Sequence, residues 1–136
     1  MEVLVHHAEK VQQMYDAFNR GDISFILSQL HKDCIWEVMG QPEIPFAGIY
    51  HGPDDVKGFF EKLNNLVEFK EMVPEHILEA GNNLVVTTGH YKGIIRKSKK
   101  PISSIFAMFD EFNDEGKIVH FRDCYDTLSV SKAFRK

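Results

Sequence analysis

The feature that most constrains this chain is the order of its hydrophobic periodicities, helical before about Leu66 and strand-like after it. Between Glu9 and Asn19, Val11, Met14, Tyr15 and Phe18 recur on one face while Lys10, Gln13 and Asp16 lie elsewhere, which predicts an amphipathic helix. Gly21 supplies a stop and Asp22 a cap for a second helix, Ile23 to Leu30, and the two are expected to pack as a hairpin. The segment Cys34–Met39 is rich in strand-forming types and is ended by Gly40-Gln41-Pro42. Pro42 to Phe46 reads as a loop, and Pro53, Asp54 and Asp55 suit the positive start of a third helix that runs to about Leu66. Four strands follow, Glu68–Glu79, Leu84–Ile95, Ile102–Phe112 and Lys117–Thr127, joined by short turn-like connections. Helices first and a strand meander afterwards indicate an α+β fold, with helices covering one face of an antiparallel sheet.

A length of 136 residues fits one domain, 1–136, and 43% hydrophobic with 26% charged residues disfavours both disorder and a membrane class. Met1 to Lys10 lacks the basic start and apolar run of an export signal, and no stretch approaches the ~20 apolar residues of a membrane span. A cytoplasmic protein without a membrane partner is expected. The net charge of −4 disfavours nucleic acid as a partner. The one basic run, Arg96 to Lys100, carries no aromatic stacking platform and reads as a solvated hairpin loop. Cys34 and Cys124 show no C-x-x-C spacing, so neither a zinc nor a redox signature is present.

Three stretches carry a family likeness: Val11-Gln-Gln-Met-Tyr-Asp-Ala-Phe-Asn-Arg-Gly-Asp22, Phe46-Ala-Gly-Ile-Tyr-His-Gly-Pro-Asp-Asp-Val-Lys-Gly-Phe-Phe60 and Gly116-Lys-Ile-Val-His-Phe-Arg-Asp-Cys-Tyr-Asp-Thr127. With the element order, they resemble the SnoaL-like, ketosteroid-isomerase-related branch of the nuclear transport factor 2-like superfamily. The resemblance implies a cone-shaped, cystatin-like α+β fold. Three N-terminal helices would pack on a strongly curved, mixed but mainly antiparallel sheet around a ligand cavity. It also implies a homodimer through the outer sheet face and no cofactor. It does not imply one reaction, because this fold hosts isomerases, cyclases, hydrolases and non-catalytic binding domains.

In the last strand, Val119, Phe121, Asp123, Tyr125 and Thr127 share one face and His120, Arg122, Cys124 and Asp126 the other, and alternation alone leaves open which looks inward. The resemblance turns Asp123 inward, as a general base. It also implies Trp36 and Val38 on the first strand and Gly89 and Tyr91 on the third, Leu84–Ile95, as pocket-facing. A carboxylate among Trp36, Tyr91, Phe121 and Tyr125 would be poorly solvated, which suits it to take a proton. Tyr91 or Tyr125 could then support an enolate.

Departures from the enzyme patterns matter as well. The arginine and aspartate that complete the epoxide-hydrolase relay correspond to Gly89 and Tyr91. The isomerase base, tyrosine and second acid correspond to Val38, Met14 beside Tyr15, and Met108. Tyr50 is expected in the pocket wall, so the ligand-contacting set is Met14, Trp36, Val38, Tyr50, Tyr91, Met108, Phe121 and Tyr125. Glu37 and the pair His90 and His120 fall on the opposite face, where an interface role outranks a metal site. His51 reads as a surface histidine near the pocket mouth. The expected partner is a small hydrophobic molecule. The chain would be a cofactor-independent isomerase or cyclase using Asp123, or else a non-catalytic binding or sensing protein or an interaction module.

Overall fold

Residues 7–135 are described by a computed structural model, in which they form four helices and six strands. Met1 to His6, where part of the export-signal reading falls, and Lys136 lie outside the described residues. Helix α1 (Ala8–Asn19) buries Val11, Met14, Tyr15 and Ala17, as its spacing predicts. Helix α2 (Ile23–Ser28) is capped by Asp22, whose Oδ1 accepts from Phe25 N at 3.2 Å. Strand β1 is Leu30–Val38, β2 is Gly48–His51, and helix α3 is Gly52–Leu66. Strands β3 (Val67–Glu79), β4 (Leu84–Ile95), β5 (Pro101–Phe112) and β6 (Ile118–Tyr125) follow, and helix α4 (Thr127–Phe134) closes the described chain.

The sheet order is β2-β1-β6-β5-β4-β3, with β1 and β6 parallel and every other neighbouring pair antiparallel. The long strands bend. Register shifts in β3 against β4, between Phe69 and Glu71 and between Pro74 and His76, mark bulges that curl the sheet over the helices. Gly89 lies opposite Pro74 at the second bend. A Cβ there would run into the Val73 carbonyl oxygen and stand 2.7 Å from Phe106 Cζ, so only glycine lets the strands approach so closely.

Five sequence expectations need correction. The second helix stops at Ser28 rather than Leu30, and the first strand starts at Leu30 rather than Cys34. Leu30 is drawn into the sheet because it pairs with Ile118 and buries its side chain. Gly48–His51, read as a lead-in to the third helix, is an edge strand paired with Ile35–Val38. The last strand ends at Tyr125 instead of Thr127, because Asp126 Oδ1 accepts from Ser129 N and caps α4, which buries Val130 and Ser131. Finally, Ile118, not Val119, faces the core: a register shift between Glu111 and Phe112 breaks the alternation at the start of β6.

Candidate functional site

The inner face of β5 is a strict alternation, Ile102, Ser104, Phe106, Met108, Asp110 and Phe112, all buried. Beside it β6 turns Phe121 and Asp123 the same way, and across it β4 offers Tyr91. Helix α1 lays Val11, Met14, Tyr15 and Phe18 over these strands, and α3 adds Phe59, Phe60 and Leu63 at helical spacing. Between the layers lies an apolar cavity of about 90 Å³.

Two carboxyls line it. Met108 pairs with Asp123 and Asp110 with Phe121, so the two aspartates are diagonal neighbours on one face of an antiparallel pair. Such neighbours stand ~7–8 Å apart. Asp110 is 3% exposed, and although Asp123 is only half-buried as a residue, its Oδ1 has no solvent contact. Oδ1 of each lacks a hydrogen-bond partner. Burial pushes Asp110 up to about 7. Burial, and then the charge of Asp110, pushes Asp123 up to about 7 as well.

Neutral donors surround the pair. Tyr15 is buried with its phenol donating to Met108 Sδ at 3.0 Å. Burial first, and then neighbouring acids, hold the Tyr15 and Tyr91 phenols well above their usual range, so both remain protonated. The Trp36 indole stacks on Phe121 at 3.8 Å, and its Nε1 is buried without a partner. An indole N–H without an acceptor in an apolar wall is unusual in a folded protein and marks a place where an acceptor would be welcome.

Of the residues expected from sequence, Met14, Trp36, Tyr91, Met108, Phe121 and Asp123 line the cavity together. Tyr50 and Tyr125 stand one layer out. Tyr50 packs edge-on against Phe59 and donates to Phe46 O, while Tyr125 stacks on Phe46, and Phe46 and Phe59 are themselves cavity residues. Val38 is buried and pairs with Asp123 along the backbone. Gly89 is buried against Val73 and Phe106. Asp110 was overlooked, although the alternation through Met108 places it on the inner face. Tyr15, on the apolar face of the first helix, also lines the cavity.

On the outer face, His120 Nε2 lies 2.7 Å from Glu37 Oε1, with Arg122 at 3.5 Å, and His90 Nδ1 lies 2.9 Å from Glu75. Among the described residues, no group of three or more His, Cys, Asp and Glu side chains is placed to hold a metal ion. His51 is exposed at the N-terminus of α3. Cys34 and Cys124 are free thiols, Cys34 buried. No helix among the described residues is long and apolar enough to cross a membrane.

The profile of the SnoaL-like domain matches residues 11–121. Solved structures agree with the architecture. A nuclear transport factor 2-like protein from Burkholderia thailandensis superposes with a TM-score of 0.85 at 24% identity, covering 98% of this chain and 100% of that one. A protein named as a candidate isomerase, from Rhodopseudomonas palustris, gives 0.77 at 18% identity, over 96% of this chain and 97% of that one. One named as a candidate polyketide cyclase, from Xanthomonas campestris, gives 0.75 at 18%, over 95% and 97%. At these identities the likeness shows the fold, which is nuclear transport factor 2-like. No functionally curated protein matches the chain by sequence.

Proposed function

The chain belongs to the SnoaL-like domain family, and from that premise we propose that its cavity binds a small, largely hydrophobic carbonyl compound and moves a proton on it, without a cofactor, using Asp123 as the base. One observation carries this reading: two buried carboxyls, Asp123 and Asp110, line one apolar cavity. Burial, and the repulsion between the two charges, make double ionisation costly, so near neutral pH the pair shares one proton, and the reactive form is the one in which Asp110 holds it. The ionised Asp123 takes a proton from the carbon beside the substrate carbonyl. The electron pair left behind moves onto the carbonyl oxygen, where protonated Asp110, Trp36 Nε1 or the Tyr91 hydroxyl donates a hydrogen bond. Returning the proton to a different carbon would make the reaction an isomerisation. Attack of the enolate carbon on a second carbonyl of the same molecule would make it a cyclisation. Structural neighbours named for both reaction classes support that range.

Turnover of a panel of apolar carbonyl compounds by the wild type and by Asp123→Asn tests the assignment. The asparagine variant keeps saturable binding and loses ~10²–10⁴-fold in turnover, the usual contribution of a positioned base. Unchanged turnover would remove Asp123 from the role. Saturable binding without any product in the wild type would leave a ligand-binding protein.

The outer sheet face is proposed as the seam of a homodimer. Ile105 is 74% exposed there, in line with Ala107 and Phe109 on β5, and the ion pairs of Glu37, His120 and Arg122 flank it.

A further inference from the structure

A second space lies beside the cavity, separated from it by one layer of side chains. Phe18, Phe60, Leu63 and Phe69 line the cavity on one side and a groove of about 610 Å³ on the other. Sites for small molecules usually span ~300–1,000 Å³, so the cavity of about 90 Å³ holds only one end of an ordinary ligand. With the groove added, the space falls within that range. The groove is formed by the end of α1, by α2 and α3, and by the start of β3.

Phe18 is the wall residue that the last turn of α1 supplies. It is half-buried on the last turn of α1, just ahead of the left-handed Gly21, and its ring centroid lies 6.3 Å from Phe60 and 5.4 Å from Phe69. Beyond it, Ile23 and Leu27 give the groove an apolar floor. Its charged side chains are Lys57, Arg96, Glu61 and Glu68, two of each sign, and Arg96 is tied to the Asn64 carbonyl oxygen at 2.7 Å. Neither an anionic nor a cationic tail is selected.

We propose that the groove is the outer half of the binding site and Phe18 its gate. The ligand is then an elongated, uncharged molecule whose carbonyl end passes Phe18 into the cavity while its aliphatic remainder lies along Ile23 and Leu27. The ligand class rests on the proton-transfer reading above; the gate does not.

Trp36, the sole tryptophan of the chain, lines the cavity and reports on both parts. Acrylamide quenching of its emission measures access. Phe18→Ala raises the quenching constant several-fold, whereas Leu27→Ala, which alters the groove alone, leaves it unchanged. If Phe46→Ala at the α4 side raises it and Phe18→Ala does not, the gate is elsewhere and the proposal fails. Methyl ketones from butanone to decanone, titrated against Trp36 emission, measure length selection. Affinity rises up to about fourfold per added methylene in the wild type. Ser24→Phe, which sets an aromatic ring into the groove, flattens the series without weakening butanone. A wild-type series independent of length, or one unchanged by Ser24→Phe, would overturn the outer half-site. If no ketone perturbs Trp36, the carbonyl reading fails, and the quenching results still decide the gate.

Discussion

Replacing Asp110 by asparagine is expected to make the protein more stable at alkaline pH, the reverse of the usual result for a buried polar substitution. The Asp110 carboxyl titrates near 3.8 when exposed and is pushed up to about 7 by burial in the folded protein. Between those values the native state holds a proton that the unfolded chain has lost. Stability therefore falls as pH rises from about 4 to about 7 and levels off above that. At 1.36 kcal/mol per pH unit, the full loss is on the order of 4 kcal/mol for Asp110 alone, against a total of ~5–15 kcal/mol for a domain. Asparagine mimics the protonated acid in shape and cannot ionise, so it removes this loss. Even if relaxation halves the effect, the variant should melt on the order of 5–10 °C above the wild type at pH 8. Melting curves by circular dichroism from pH 5 to pH 8.5 provide the test. The two proteins converge near pH 5 and separate as pH rises. A variant that melts below the wild type at pH 8 would show that the ionised carboxylate is stabilised in place, and would refute the buried acid pair.

Other substitutions probe the frame that holds the site. Gly89→Ala forces a methyl group against the Val73 carbonyl oxygen and Phe106, and is expected to cost at least ~1–3 kcal/mol in a urea unfolding curve; a neutral result would mean that the bend in β4 can relax. Ile105→Glu places a charge at the centre of the exposed outer face and should shift the mass in solution from dimer to monomer by light scattering; a monomeric wild type would dismiss the seam.

Periodicity located the apolar framework well, because Val11, Met14, Tyr15 and Phe18 face inward for the same reason that they recur at helical spacing. The inward turn of Asp123 could not be read from alternation alone, since both faces of the last strand carry polar and apolar side chains; family likeness decided it. Asp110 was within reach of the same alternation, yet an aspartate in a strand is ordinarily placed toward solvent. What escaped the sequence depends on tertiary pairing. The break that buries Ile118 in place of Val119 arises where β6 meets β5, and α4 forms because Asp126 caps it and Val130 docks on the core. The edge strand Gly48–His51 is only four residues long and exists because β1 offers it a partner. The groove behind Phe18 joins residues of α1, α2, α3 and β3, which no local pattern brings together.

The most direct test of the central claim is deuterium exchange at the carbon next to the carbonyl of a medium-chain methyl ketone, followed by NMR in heavy water. The wild type is expected to accelerate exchange, with a rate that rises through an apparent pKa near 7 as the pair loses its first proton and falls again when it loses its last. Asp123→Asn should return the rate to nearly that of the protein-free solution. Exchange in the wild type no faster than in buffer, or equally fast in the asparagine variant, would contradict the assignment of the cavity as a proton-transfer site.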